Sequence, residues 1–145
     1  MPPVVCDHRD RDVKDSHRLV LTKHERYLWV ADRAANLMIV VDTETDNVVN
    51  EIGLVGAASP DPAPDILGIS PSGHRMYATL RGPFPLTGNN PDVNNAQGLT
   101  PGLGVIRVEG GGRNGSLQAV FAISTFDSTR NQERAAPHGV AVRLR

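Results

Sequence analysis

The stretch that decides the fold is LVLTKHERYLWVADRAANLMIVVDTETDNVVNEI, residues 19–52. Four short apolar runs, Leu19–Thr22, Tyr27–Ala31, Leu37–Val41 and Val48–Leu54, are separated by the polar segments Lys23–Arg26, Asp32–Asn36 and Asp42–Asn47. Val, Ile, Tyr and Trp enrich the runs while Asp, Asn and Lys fill the gaps, which is the chemistry of strands and tight turns. No apolar stripe at spacings of three and four outlasts the turn residues, so helix is not a competing reading. Runs such as LMIVV are apolar at consecutive positions, and a strand of that kind needs cover on both faces of its sheet.

The same order returns further along. A shift of 48 places Leu21 on Ile69, Arg26 on His74, Leu28 on Met76, Trp29 on Tyr77 and Arg33 on Arg81. The third run returns at a shift of 66, matching Leu37 with Leu103, Ile39 with Val105 and Val40 with Ile106. The difference, 66 − 48 = 18 residues, is read as an insertion after the second strand of the second unit, within residues 82–102. A fourth strand is expected at Leu117–Ser124, and Pro137–Val142 repeats Pro64–Ile69 as the first strand of a further unit. The chain is therefore divided into a charged lead-in at 1–16, one unit at 17–54, a second at 64–124 and a last strand within 137–145. Repeated four-stranded antiparallel meanders predict an all-β fold of β-propeller blades, forming an incomplete ring.

Composition narrows the function. With 39% apolar and 21% charged residues in 145, the chain reads as one globular domain. Fifteen basic and sixteen acidic side chains leave a net charge of −1, too little to hold a phosphate backbone, so nucleic acid is not an expected partner. No apolar run approaches the roughly 20 residues a spanning helix needs. One cysteine, Cys6, excludes an internal disulfide and a cysteine-rich zinc site.

The segments quoted above, together with ISPSGHRMYATLRG at 69–82, resemble the YVTN repeat of seven-bladed propellers, the YncE-like or lactonase-like group. The pattern of charged turn, aromatic-Val-Ala, polar turn and apolar-Val-Asp-Thr is met along Tyr27–Thr43, and the likeness extends over 17–142 outside the insertion. Arg18 departs from it, standing where that group often has Gly. Members of the group close a ring, whereas this chain holds two blades and one strand. The resemblance therefore implies a C-terminal portion of a larger ring, with the remaining blades or further copies of the chain as partners. It also implies extracytoplasmic residence.

Candidate site residues follow from the repeat. His17, Asp65 and His138 share one position, at the start of the innermost strand, where a propeller opens its channel. Imidazole and carboxylate are ligands for a divalent transition metal, so these three form the candidate metal set. Arg33 and Arg81 recur after the second strands, at the end that also carries the long loops 55–63, 82–102 and 125–136. Arg33, Asp65, Arg81 and His138 are the candidate ligand-binding residues, with Arg107 as a third guanidinium for an anion. The structural alternative for the arginines is an ion pair with Asp32 or a bond to a turn carbonyl. Trp29 and Tyr77 are expected to pack blade against blade.

Other motifs carry less. Asp42–Asn47 alternates acidic residues but has Gly53 where a calcium loop ends in Glu, so a hairpin is expected. Gly88–Asn95 offers oxygen ligands or turns. Gly102-Leu103-Gly104 opens a strand, and Gly110–Ser116 lacks the Lys-Ser/Thr of a P-loop and reads as a flexible hairpin turn. No nucleophile elbow stands out. The function expected is binding of a small-molecule or protein ligand. The alternative implied by the resemblance is a lactonase-like enzyme or a metal-binding redox propeller, with its site at the channel mouth.

Overall fold

The computed structural model describes residues 15–84 and 97–143. Most of the lead-in with Cys6, the core of the insertion with Gly88–Asn95, and the last two residues lie outside them. The described residues form two four-stranded antiparallel sheets, each a simple meander in sequence order, and one two-stranded sheet. The first holds β1 (Ser16–Leu21), β2 (Tyr27–Asp32), β3 (Leu37–Asp42) and β4 (Asn47–Gly53). The second holds β5 (Pro64–Ile69), β6 (Arg75–Leu80), β7 (Gly102–Glu109) and β8 (Asn114–Ala122). A two-residue-per-strand hairpin, β9 (Phe126–Asp127) and β10 (Gln132–Glu133), follows. Among the described residues the only helical element is the 3-10 turn Gly110–Gly112, and none is long and apolar enough to cross a membrane.

The second sheet is a residue-by-residue copy of the first. In β1 and β5, Leu19 faces Val30 as Leu67 faces Ala78, a shift of 48. The first strands of both sheets break register at the same place, between Ser16 and Leu19 and between Pro64 and Leu67. The β1–β2 and β5–β6 turns also match, for Glu25 and Gly73 both take a left-handed backbone, with φ of 58° and 77°. Trp29 pairs with Val40 and Tyr77 with Val105, so the third strand recurs at 105 − 40 = 65. The bulge between Val40 and Val41 has its counterpart between Val105 and Ile106, which fixes that value. Met38 faces Ile52 as Leu103 faces Phe121, a shift of 121 − 52 = 69 in the fourth strand.

This corrects the sequence reading, which aligned the third strands at 66. The insertion is thus 65 − 48 = 17 residues. Because side chains alternate faces along a strand, the one-residue error exchanges the two sides of the third strand. LMIVV is apolar throughout and gives no alternation from which to choose.

The sheets stack face to face. Trp29, Ala31, Met38, Val40 and Ile52 line one side of the first sheet and meet Leu67, Met76, Ala78, Leu80 and Ile106 of the second. Trp29 is the anchor. Its indole N–H donates to the Gly112 carbonyl at 2.6 Å, and its ring lies so near Gly115 that a Cβ there would stand 2.6 Å from it. The Gly110–Gly112 turn closes the hairpin of β7 and β8, as expected, and its last carbonyl seats that tryptophan. Tyr77, its counterpart, lies on the far side of the second sheet, in a groove of ≈ 680 Å³ with Val105 and Phe121. Among the described residues Trp29 makes the sheet-to-sheet contact expected of it, while the face that carries Tyr77 meets no second sheet.

Residues 134–143 pair with no strand among the described residues. They nevertheless pack on the second sheet, with Val140 and Val142 covering Gly68. The Asp42 loop is a hairpin as expected: Asp42 accepts the amides of Glu44 and Thr45, and Asp46 turns the chain with φ of 56°.

Candidate functional site

All strand starts and ends that carry the candidate residues fall at one end of the sheets, with the β4–β5, β6–β7 and β8–β9 connections. His17 and Asp65 sit inside the paired register breaks of β1 and β5, the kind of irregularity that re-aims a side chain. Arg33 and Arg81 follow directly after β2 and β6. Their amides make equivalent bonds, to the carbonyls of Asp15 and Ala63. His138 belongs to the unpaired C-terminal segment.

The structure brings four of these five residues together on the carboxylate of the fifth, Asp65. Asp65 is fully buried. Its Oδ1 is 2.5 Å from His17 Nδ1 and 3.5 Å from an Arg33 terminal nitrogen, and its Oδ2 contacts His138 Nδ1 and lies 3.3 Å from an Arg81 terminal nitrogen. Each oxygen thus meets one imidazole and one guanidinium. A buried carboxylate persists only when paired and hydrogen-bonded, and this one is met from four directions.

The arginines are structural members of the cluster. Arg33 grips Asp15 through Nε at 2.6 Å and a terminal nitrogen at 3.0 Å, the forked geometry that carboxylates favour. Arg81 also donates to the Ala136 carbonyl at 3.4 Å. Burial pushes the Arg81 guanidinium down from the ordinary arginine range, Asp65 pulls it back up, and the like charge of Arg33 lowers it again. Among the described residues the arginines pair with Asp15 and Asp65 where an ion pair with Asp32 was expected. Asp32 accepts the amides of Asp15 and Ala35 through Oδ1, while its buried Oδ2 has no hydrogen-bond partner among the described residues. Arg107 does not join the group: it stands toward the opposite end of β7, exposed, 4.0 Å from Glu109.

Asp15 was not foreseen as a member of the site. It closes the mixed-charge run DHRDRDVKD, which reads as a solvated lead-in, and nothing in that run distinguishes the carboxylate Arg33 selects.

What reaches solvent is the pair of imidazoles. The side chains of His17 and His138 are 33% and 45% exposed, and their ring centres stand 5.5 Å apart. With Nδ1 turned to Asp65, Nε2 of each ring points away from it. A carboxylate holding Nδ1 is also the way proteins fix the tautomer and direction of a working histidine. Among the described residues no three His, Cys, Asp or Glu side chains are grouped to hold a metal ion. A metal seat on His17, Asp65 and His138 would need ligands from outside the described residues, since Asp65 already faces two imidazoles and two guanidiniums.

No family model matches the chain, and no curated protein matches it. Among solved structures it is similar to Kuenenia stuttgartiensis hydrazine synthase, with a TM-score of 0.47 and 17% identity over 74% of this chain. The match spans 25% of the length of that protein.

Proposed function

We propose that the two sheets are consecutive blades of a β-propeller of the YVTN-repeat kind, acting as a binding module whose ligand meets His17 and His138 at the channel mouth. Asp65, Arg33 and Arg81 are the positioning set beneath them. The recurrence of strand pairing, bulges and turn conformation supports the blade reading. So does the C-terminal segment: Val140 and Val142 lie on Gly68 of the second sheet, and β5 lies on the equivalent face of the first sheet, which carries Val20. Residues 137–142 are then the first strand of a third blade, lacking its partners.

The observation that carries the binding reading is the convergence of four side chains from separate segments on one buried carboxylate, leaving two oriented imidazoles accessible. The ligand class this favours is a small molecule or protein group with hydrogen-bond donors, because imidazoles that donate Nδ1–H to Asp65 present lone pairs outward. The test is a nuclear magnetic resonance titration with sugar lactones, aminosugars and short peptides, following the two imidazoles. Shift changes centred on His17 and His138, abolished in His138→Ala, are expected. Changes confined to the groove at Tyr77 and Phe121 would place binding elsewhere.

A lactonase-like enzyme is the second reading, favoured by the Asp65–His138 contact alone, since a carboxylate-held imidazole serves as a general base. Hydrolysis of a sugar lactone lost in His138→Ala would establish it over the binding module.

A further inference from the structure

We propose that the end of the sheets opposite Asp65 carries a second site, a small pocket between the two sheets that takes a phosphate group, either of a small molecule or as the free ion. The pocket goes beyond the binding module described above. It is built from three turns within the described residues, so its walls do not depend on what lies against either outer face.

The β1–β2, β5–β6 and β7–β8 turns meet at that end. They border a cavity of ≈ 190 Å³ lined by Thr22, Lys23 and His24 from the first turn, Ser72 and His74 from the second, and Gly111 from the third, among others. Sites for drug-sized ligands start at about 300 Å³, so this one suits a single small group.

Two glycines bring the walls close. At Gly73, left-handed with φ of 77°, a Cβ would stand 2.6 Å from Lys23 Cβ and 2.9 Å from its Cδ. The lysine stem therefore crosses from the first sheet and lies on the turn of the second. A long side chain packed in this way has less rotamer freedom to lose when its ammonium meets a ligand. At Gly112 a Cβ would stand 2.6 Å from the Thr22 methyl, which seats the third turn on the first.

The lining selects an oxyanion. Lys23 brings a full positive charge, and His24 and His74 bring ring N–H donors that gain charge when protonated. Thr22 is 4% exposed, and its hydroxyl accepts the Tyr27 amide at 3.2 Å while keeping its own proton to donate. No carboxylate lines the cavity, although Glu25 and Glu109 adjoin the turns in sequence. Phosphate accepts several charge-assisted hydrogen bonds at once, which matches donors arriving from more than one turn. The site is not an element of the repeat: at the shift of 48, Lys23 and His24 align with Pro71 and Ser72. The basic groups come together because unlike turns of the two units meet.

The test is a nuclear magnetic resonance titration of the full chain with inorganic phosphate and with glycerol phosphate, against potassium chloride at equal ionic strength. Amide signals of residues 22–24, 72–74 and 111 are expected to shift together and saturate with the phosphates, and to stay in place with chloride. Tighter binding of the monoester would assign the site to a phosphorylated small molecule, and tighter binding of the ion to free phosphate. Lys23→Gln and His74→Gln are each expected to weaken binding about tenfold, the scale of one charge-assisted hydrogen bond. Both side chains are exposed, and unchanged Trp29 fluorescence in each variant checks that the sheets remain stacked. No saturating shift with either phosphate, the same shifts with chloride, or affinity untouched by both substitutions would overturn the site. Shifts confined to His17 and His138 would overturn it too, while leaving the channel-mouth reading standing.

Discussion

His17 and His138 place their rings 5.5 Å apart on opposite oxygens of Asp65, although they lie at opposite ends of the sequence. One buried carboxylate thus ties the first strand, the second sheet and the C-terminal segment, and its removal is the sharpest perturbation of the end that carries the site. Asp65→Ala strips the two buried guanidiniums of their shared partner. Arg33 keeps Asp15 and Arg81 keeps the Ala136 carbonyl, and removing one partner of a buried ion pair costs up to about 3–5 kcal/mol. Chemical denaturation is expected to show a loss of that size, and a loss below about 1 kcal/mol would mean the arginines are satisfied without Asp65.

Asn36 holds the entry to the second sheet. Its Nδ2 donates to Asp61 at 2.8 Å, its Oδ1 accepts the Ala63 amide at 2.7 Å, and its backbone is left-handed with φ of 57°. Asn36→Ala is expected to cost about 2–4 kcal/mol, from two lost buried hydrogen bonds and a strained backbone. Asn36→Gly relieves the strain only, so it should lie about 1 kcal/mol above the alanine variant. Equal stabilities for the two variants would show that backbone conformation contributes nothing here.

Much of this was legible before the fold was known, because each strand is a short β-branched run bounded by polar turn residues, and the repeat marks equivalent positions. Alignment alone brought His17, Asp65 and His138 to one place, and Arg33 and Arg81 to another beside it. It did not show that Asp65 lies beneath the histidines as their organiser, since an alignment locates strand starts but not bulge-directed side chains. The third-strand register was missed for want of alternation in LMIVV. Asp15 was missed because four aspartates stand within DHRDRDVKD, and only the reach of Arg33 selects one of them.

Glu133 clasps the two ends of the loop after β8. Glu133 accepts the amides of Thr125 and Ala135 through Oε1, at 2.7 and 2.8 Å, and the Ser124 hydroxyl through Oε2. The Ser124 bond first, then the amides of Ala135 and Thr125, hold Glu133 below its ordinary value of 4.5. A depressed carboxylate stabilises the fold above its unfolded value and loses that contribution as pH falls through the folded one. Amide exchange at Thr125 and Ala135 should therefore stay slow at neutral pH and quicken in acid below the ordinary glutamate range, relative to the intrinsic rate. Glu133→Gln should be fast at both. Protection that survives acid in the native chain would rule out this carboxylate as the clasp.

Gly115 leaves room for Trp29 and no more. A Cβ at that position would meet the indole ring at 2.6 Å and the Arg107 carbonyl at 2.5 Å. Gly115→Ala is expected to destabilise by about 1–3 kcal/mol, as overpacking does, and to shift the Trp29 fluorescence. An unchanged spectrum and stability would mean the indole is seated elsewhere.

The stacking of two copies of one four-stranded unit is the premise of the whole account, and the sole tryptophan reports on it. Hydrogen exchange at the Trp29 indole N–H, with its nuclear Overhauser contacts, reads that stacking directly. The account predicts strong protection and contacts to Gly112, Gly115 and Ile106 of the second sheet. Rapid exchange with contacts confined to the first sheet would contradict it.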